Sequence, residues 1–340
     1  MTERPSVVNR GPSTVHPSLQ FSTQLGITTP LICGAMYPCS NPELVAAVSE
    51  AGGIGIVQPV SLTYVHGHEY RAGLRYIKSL TSKPIGFNAL IEQSSKAYHE
   101  RMIRWLDVAL EEGVRFVVTS LGKPRWVVDR VHAVGGLVYH DVTDARWAQK
   151  AKDSGVDGLI AVNRRAGGHA GGIEPAALLD HLLPIGLPVV AAGGVGTAAE
   201  FAEMLRLGYS AVQAGTRFIA TTECKTSDAY KQAIVKAGAD DIVLTERLTG
   251  VPVAVINTDW VRRTGTRAGP IARWMLRGRK TKHWMRMIYA VRSGMSLKAG
   301  LMNERASEYW QAGKSVAGIS DIQPAGDIVR AFDAAWRTPA

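Results

Sequence analysis

The chain has 340 residues, 46% of them hydrophobic, and a formal net charge of +10. That is enough apolar material for one large α/β domain or two ordinary ones. No apolar run reaches the roughly 18 residues a membrane helix needs, the N-terminus lacks the basic-then-apolar layout of a secretory signal, and Cys33, Cys39 and Cys224 are too scattered for a disulfide framework or a zinc site. The cysteines are expected as small buried hydrophobes in a reduced, cytoplasmic protein.

An arm over 1–24 comes first. The first apolar, β-branched run, Thr29–Met36, closes on Gly34-Ala35-Met36, which can lay backbone against one face of an aromatic ring system. Asn41–Ala51 follows with helical spacing, opened by Asn41 and stopped by Gly52. Gly53–Val57 and Lys83–Leu90 are the second and third runs. The third carries Asn88, whose amide either pairs with a heterocycle edge or caps a turn. His99–Glu112 reads as helix, Arg115–Ser120 as the fourth strand and Pro124–Ala133 as the next helix. The fifth run, Gly136–Val142, holds His140, which either neutralises charge on a reduced flavin or bonds to Asp141.

Asp144–Ser154 is helical, and Gly158–Asn163 is the sixth run. Directly after it stands Arg164-Arg165-Ala166-Gly167-Gly168-His169-Ala170-Gly171-Gly172. Glycines admit backbone close to a flat or charged ligand, and one imidazole among them can exchange a proton near neutral pH. The stretch reads as a flavin or phosphate site with one acid/base group, against a plain glycine-rich turn with a surface histidine. Glu174–Leu183 and Thr197–Leu207 are the next helices, and Leu187–Gly194 and Ala211–Thr216 the last two runs.

Eight βα units spaced about 20 to 32 residues apart fit a (β/α)8 barrel over 25–240. The rival doubly wound sheet would show a G-x-G-x-x-G turn after its first strand, and Gly34-Ala35-Met36-Tyr37-Pro38 is not that fingerprint. A barrel carries its active site at the carboxyl ends of its strands and often a phosphate after strands 7 and 8. There the chain supplies Ala192-Gly193-Gly194 and Gly215-Thr216, whose N–H groups and hydroxyl suit a phosphate.

The last hundred residues (241–340) leave this rhythm. Thr245–Thr258, Pro270–Lys298 and Asn303–Arg337 read as a mostly helical extension covering the active site, with Trp284, Met287, Tyr289, Met295, Tyr309 and Trp310 as candidates to roof it. Much of the positive charge falls between Arg262 and Arg292, interleaved with apolar residues at amphipathic spacing. That pattern fits a solvated helix face, a mouth for an anionic substrate or, less well, a nucleic-acid or membrane surface.

Taken together, these segments resemble the nitronate monooxygenase family, FMN-dependent (β/α)8 barrels whose relatives include quinone reductases and flavin-dependent enoyl reductases. The resemblance covers about residues 25 to 335. It rests on Gly34-Ala35-Met36, Glu50-Ala-Gly-Gly53, Gly86-Phe87-Asn88, Ala166-Gly-Gly-His169, Ala192-Gly-Gly194, Gly215-Thr-Arg-Phe218 and Tyr309-Trp-Gln-Ala-Gly-Lys-Ser315. It implies that Gly34, Ala35, Met36 and Asn88 contact the isoalloxazine and that Gly167 and Gly168 line it. By the same resemblance Gly193, Gly194, Gly215 and Thr216 hold the phosphate, His169 is the catalytic acid/base, and Trp310–Ser315, with Gly313, return towards the flavin.

Three departures bear on the substrate. The family's monooxygenase motif commonly has an acidic residue before Ala-Gly-Gly-His, where this chain has Arg165 after Arg164. Its opening glutamine is missing, with Val162 at that spacing. Some quinone-reductase relatives carry a lysine where this chain has His140. The paired arginines would favour an anionic substrate. The expected activity is oxidation of alkyl nitronates or nitroalkanes with O2. The alternative is reduction of a quinone or an activated double bond at the expense of NAD(P)H. No nucleic-acid partner and no membrane span are expected, and the chain is compatible with a homodimer.

Overall fold

A computed structural model describes residues 16–92, 95–248, 250–267, 269 and 309–338. Helix α1 (Pro17–Leu25) precedes an alternation of β1 (Leu31–Cys33), α2 (Pro42–Glu50), β2 (Ile54–Val57), α3 (Tyr70–Leu80), β3 (Gly86–Leu90), α4 (Lys96–Glu111), β4 (Phe116–Ser120), α5 (Arg125–His132), β5 (Leu137–Val142), α6 (Ala145–Asp153), β6 (Gly158–Val162), α7 (Pro175–Leu182), β7 (Val189–Ala192), α8 (Ala198–Arg206) and β8 (Ala211–Ala214). Every neighbouring pair is parallel, and β8 pairs back to β1, so the sheet closes into the expected (β/α)8 barrel.

The apolar runs become strands because both their faces are buried. Ile32, Ile54, Ile56, Val118, Tyr139, Ile160 and Val190 fill the barrel interior, while Leu31, Val57, Phe87, Val117, Val138, Leu159 and Val212 pack outward against helices. Helix ends follow local chemistry. A capping box joins Thr197 and Glu200 at the start of α8, and α2 gives way to Gly52 at φ +104°, where a β-carbon would stand 2.0 Å from the Thr28 hydroxyl. Part of the anticipated arm is α1, whose Phe21 meets the rings of Phe116 and Tyr139 at centroid distances of 6.2 and 5.7 Å. Those residues lie in the amino-terminal halves of their strands, so Phe21 plugs that end of the barrel.

Two expectations for the C-terminal hundred residues change. Thr245–Thr258, expected as helix, is instead part of an antiparallel pair, β9 (Ile242–Thr245) with β10 (Val253–Ile256). Its β-branched alternation outweighs its helical spacing once both Val253 and Val255 find a buried pocket with Leu248, Val261 and Tyr309. The final helix does not belong to an extension. After α9 (Thr216–Ile219), α10 (Asp228–Lys236) and α11 (Asp259–Thr264), helix α12 (Ala325–Arg337) packs between α8 and α2, with Phe332 stacked on Phe201 at 5.0 Å. It completes the helical ring, so the stretch between β8 and α12 is an insertion, and the expected division at residue 240 does not follow the packing. Most of the Arg262–Arg292 segment, with Trp284, Met287, Tyr289 and Met295, lies outside the described residues. Among the described residues, no helix is long and apolar enough to cross a membrane, and no His, Cys, Asp and Glu group could hold a metal. The three cysteines are buried and unbridged, as expected.

Candidate active site

The strand registers decide which side chains meet at the mouth of the barrel. Inward residues of alternate strands stack in layers of four. Stepping one residue along the register per strand gives a layer of Ile32, Gly86, Tyr139 and Val190, then one of Ile56, Val118, Ile160 and Gln213, and at the carboxyl end one of Gly34, Asn88, Asp141 and Ala192. Apart from Gln213 the lower layers are apolar or glycine. The uppermost offers two small residues, one amide and one carboxyl. Gly34 leaves room beside the Gln213 side chain, which would have to shift to admit a β-carbon 3.0 Å away. The structure therefore places Gly34, Asn88 and Ala192 in one layer, and Ala35 packs against the inner cluster that includes Ala192.

The expectation for His140 is corrected. Strand residues alternate faces, so with Tyr139 inside the barrel His140 points outward, between sheet and helices. Its Nδ1 lies 2.8 Å from the Thr119 hydroxyl, it is 6% exposed, and burial pushes its pKa down to about 4. It neither reaches the mouth nor bonds to Asp141. The residue that β5 presents to the mouth is Asp141, which the sequence reading passed over. Its Oδ1 is buried without a hydrogen-bond partner, and burial pushes its carboxyl up to about 7. Gln213 Oε1, one layer below, is likewise buried and unpartnered. The signal was present in the sequence: Asp141 has the parity of Leu137 and Tyr139 within an apolar run.

His169 stands on the loop after β6, and three clamps set that loop. Asn163, fully buried, donates from Nδ2 to the Gly193 carbonyl at 2.9 Å and accepts at Oδ1 from the Arg165 N–H at 2.8 Å. The Ala254 N–H on β10 donates to the Gly168 carbonyl at 2.8 Å, so the strand pair holds the loop from above. Along the same edge of β10, Ile256 N–H donates to Trp310 O at 2.9 Å, and Val255 bridges to Gln311. Thus the edge of β10 away from β9 holds both the histidine loop and the returning segment 310–312. Gly168 adopts φ +67°, and Gly167 and Gly313 abut so closely that a β-carbon on Gly313 would stand 2.6 Å from the Gly167 nitrogen. His169 keeps an exposed surface, yet burial of the ring's surroundings lowers its pKa below the ordinary histidine value. Neutral imidazole is then the resting form at pH 7, which suits a base.

The loops after β7 and β8 converge on the same region. Gly193 and Gly194 take φ +114° and +83°, and β-carbons there would stand 2.5 Å from the Ala166 nitrogen and 2.8 Å from the Arg165 side chain. Gly215 lies against Met36, whose Sδ would be 3.4 Å from a β-carbon on it. Thr216 is buried, and its hydroxyl accepts from the Gly313 N–H at 3.0 Å, leaving its own proton to donate. Ser315 is buried beside Gly196, and Trp310 stacks on Tyr230 at 5.9 Å with its indole N–H unpartnered. Arg164 and Arg165 share Glu174 at 3.2 and 2.8 Å, half exposed at the rim, so the pair and its partner carry one net positive charge. Besides Asp141 and Gln213, the sequence reading missed Asn163 as a clamp, because an asparagine at a strand end is locally indistinguishable from a turn residue.

The family model for nitronate monooxygenase matches residues 20–333. The chain belongs to the nitronate monooxygenase family. It is an enzyme, an oxidoreductase on a TIM barrel. Among curated relatives, (3aS,4S,5R,7aS)-5-hydroxy-7a-methyl-1-oxo-octahydro-1H-indene-4-carboxyl-CoA dehydrogenase of Mycobacterium tuberculosis is 29% identical, over 88% of this chain and 90% of that one. Nitronate monooxygenase of Pseudomonas aeruginosa is 31% identical, over 68% of this chain and 77% of that one. Among solved structures, FabK from Thermotoga maritima superposes with a TM-score of 0.76 at 26% identity, covering 94% of this chain and 96% of that one. Nitroalkane oxidase from Streptomyces ansochromogenes, at 23% identity and TM-score 0.74, covers 92% and 97% and shares the fold.

Proposed function

We propose that this enzyme binds FMN at the carboxyl mouth of the barrel and oxidises a carbon acid, with His169 as the base. The observation that carries the reading is the uppermost inward layer. Gly34 and Ala192 leave room for a flat ring, Asn88 and Asp141 offer polar contacts, and the unpartnered Asp141 Oδ1 and Gln213 Oε1 fit a heterocycle bearing N–H groups. Gly193, Gly194, Gly215 and Thr216 would hold the phosphate, whereas Gly167, Gly168, Gly313 and Ser315 shape the wall through their packing. Trp310 and Met36 flank the cavity. When bound, FMN supplies the acceptor for the two electrons that leave the substrate carbon.

His169 removes the proton from a carbon made acidic by a neighbouring electron-withdrawing group and passes it to water at its exposed edge. Burial keeps the imidazole neutral and ready to do so, and such a base is worth about 10²–10⁴-fold. Asn163 and β10 fix the loop and therefore the direction of approach. For the electron-withdrawing group, two relatives that match this chain nearly end to end favour the carbonyl of a coenzyme A thioester. The α-proton goes to His169, and the β-hydrogen leaves with two electrons as the double bond forms. Arg165, standing where the monooxygenase motif has an acid, agrees with an anionic substrate.

The second reading is oxidation of alkyl nitronates or nitroalkanes with O2, favoured by the family and by the 31% identical relative. Reduction of an activated double bond is the alternative that the likeness to FabK keeps open, while neither the site nor the relatives point to NAD(P)H as its reductant.

The test is anaerobic mixing of flavin-loaded protein with a saturated acyl-CoA and, separately, with propyl nitronate. Bleaching by the thioester alone supports the first reading, and bleaching by nitronate alone replaces it with the second. A protein that takes up no FMN refutes both. In His169→Ala, turnover of a carbon acid should fall 10²–10⁴-fold, while preformed nitronate, already deprotonated, should still react.

A further inference from the structure

Asp141 has a property that a simple hydrogen-bonding contact would not need. Of the inward residues in and around the uppermost layer (Gly34, Gln58, Asn88, Ser120, Asp141, Val162, Ala192, Gln213 and Gly215), it alone can ionise. No cation faces it from β4 or β6, whose inward residues near its level are Val118, Ser120, Ile160 and Val162. The rim arginines Arg164 and Arg165 are occupied by Glu174. Among the described residues, His169 on the loop above and Tyr37 on the loop after β1 also titrate at this end of the barrel, and Tyr139 below is held protonated by burial. A carboxyl with a buried, unpartnered oxygen and, among the described residues, no counter-ion is costly to keep in the ionised state.

We propose that Asp141 couples reduction of the bound flavin to proton uptake: its carboxylate gains a proton from solvent when the ring that it faces gains negative charge. This rests on the FMN reading above. The physics is that of two like charges at one desolvated site, where the arrival of one raises the proton affinity of the other. The balance is simple. Two electrons and one proton would enter the ring, leaving it with one added negative charge, and a second proton, from water, forms the Asp141 Oδ–H bond while no other bond of the side chain changes. The burial that lifts the carboxyl to about 7 places the effect in the physiological range. Below that pH the group already carries its proton, and above it reduction recruits one. Asn88 and Gln213, which cannot ionise, would hold the ring in place without contributing to the proton count.

The experiment is a reductive titration of the flavin-loaded protein with dithionite and indicator dyes at a series of pH values from about 6 to 9, giving the midpoint potential against pH. Each further proton taken up per two electrons steepens the slope by about 30 mV per pH unit. Wild type should be steeper than Asp141→Asn by that amount above pH 7 and parallel to it below. His169→Ala should keep the wild-type step, which separates Asp141 from His169. Equal slopes for wild type and Asp141→Asn overturn the proposal while leaving the flavin reading intact, and failure of the wild type to bind FMN overturns both. Should Asp141→Asn not fold, Asp141→Ser serves. Wild type also tests the idea unaided, because its oxidised flavin spectrum should shift with a midpoint near neutral pH. A spectrum flat from pH 5 to 9 overturns the proposal.

Discussion

Replacing Asp141 by Asn should stabilise the cofactor-free protein, and increasingly so as pH rises. In the folded chain burial lifts this carboxyl from 3.8 to about 7. The unfolded chain therefore ionises first, and folded-state stability falls between about pH 4 and pH 7 as the proton is lost from the unfolded chain. At about 1.4 kcal/mol per pH unit the full effect is about 4 kcal/mol. Asp141 keeps part of its surface at the open mouth, where water screens the charge, which brings the expected gain to about 2–4 kcal/mol at pH 8. Near pH 4 the two proteins should be equal, since asparagine and protonated aspartate are alike in shape and charge. Urea midpoints at matched pH values read the difference directly. His140, whose pKa burial lowers, destabilises both proteins equally as pH falls from about 6.5 towards 4 and cancels in the comparison. An Asp141→Asn gain that is the same at pH 4 and pH 8 would refute the claim that burial holds the Asp141 carboxyl up.

Three further outcomes follow from the packing and the site. The rate of proton abstraction in wild type should rise with pH through a pKa below the ordinary histidine value and be flat from pH 7 upwards, since His169 must be neutral to act; kcat/KM profiles on a substrate whose own proton does not titrate there check this, and a rise centred above pH 7 contradicts it. Gly313→Ala forces a β-carbon to within 2.6 Å of the Gly167 nitrogen and 2.7 Å of the Arg165 carbonyl oxygen. It should cost about 1–3 kcal/mol of stability and weaken FMN binding by at least about tenfold, which fluorescence titration measures. Phe332→Ala should lower stability by about 3–5 kcal/mol, as for any large buried aromatic side chain. A loss below about 1 kcal/mol would mean that α12 is not a true member of the helical ring.

Much of the barrel could be read from the chain. Parallel strands buried on both faces need continuous apolar β-branched runs, and each helix between them needs a stop, so the alternation and its glycines are visible without coordinates. The candidate site was legible where it depends on backbone: Gly34, Gly193, Gly194 and the His169 loop sit where barrel geometry requires. It failed at His140. A histidine catches the eye as a chemical group, but which face of β5 it occupies depends on one residue of parity, and Tyr139 had already claimed the interior. The strand pair β9–β10 failed for another reason. Its identity depends on Gly168, Gln311 and the Tyr309 pocket, all distant in sequence.

The sequence by itself determined the eight-fold βα rhythm, the family to which the chain belongs and the one histidine placed among glycines after the sixth strand, because these are properties of local composition and spacing. Tertiary structure alone decided that Asp141 rather than His140 looks into the mouth, that β10 pins the histidine loop, and that the last helix closes the ring begun by α2. Each of these depends on barrel stagger or on contacts between segments far apart in the chain, and such long-range contacts leave no local pattern to read.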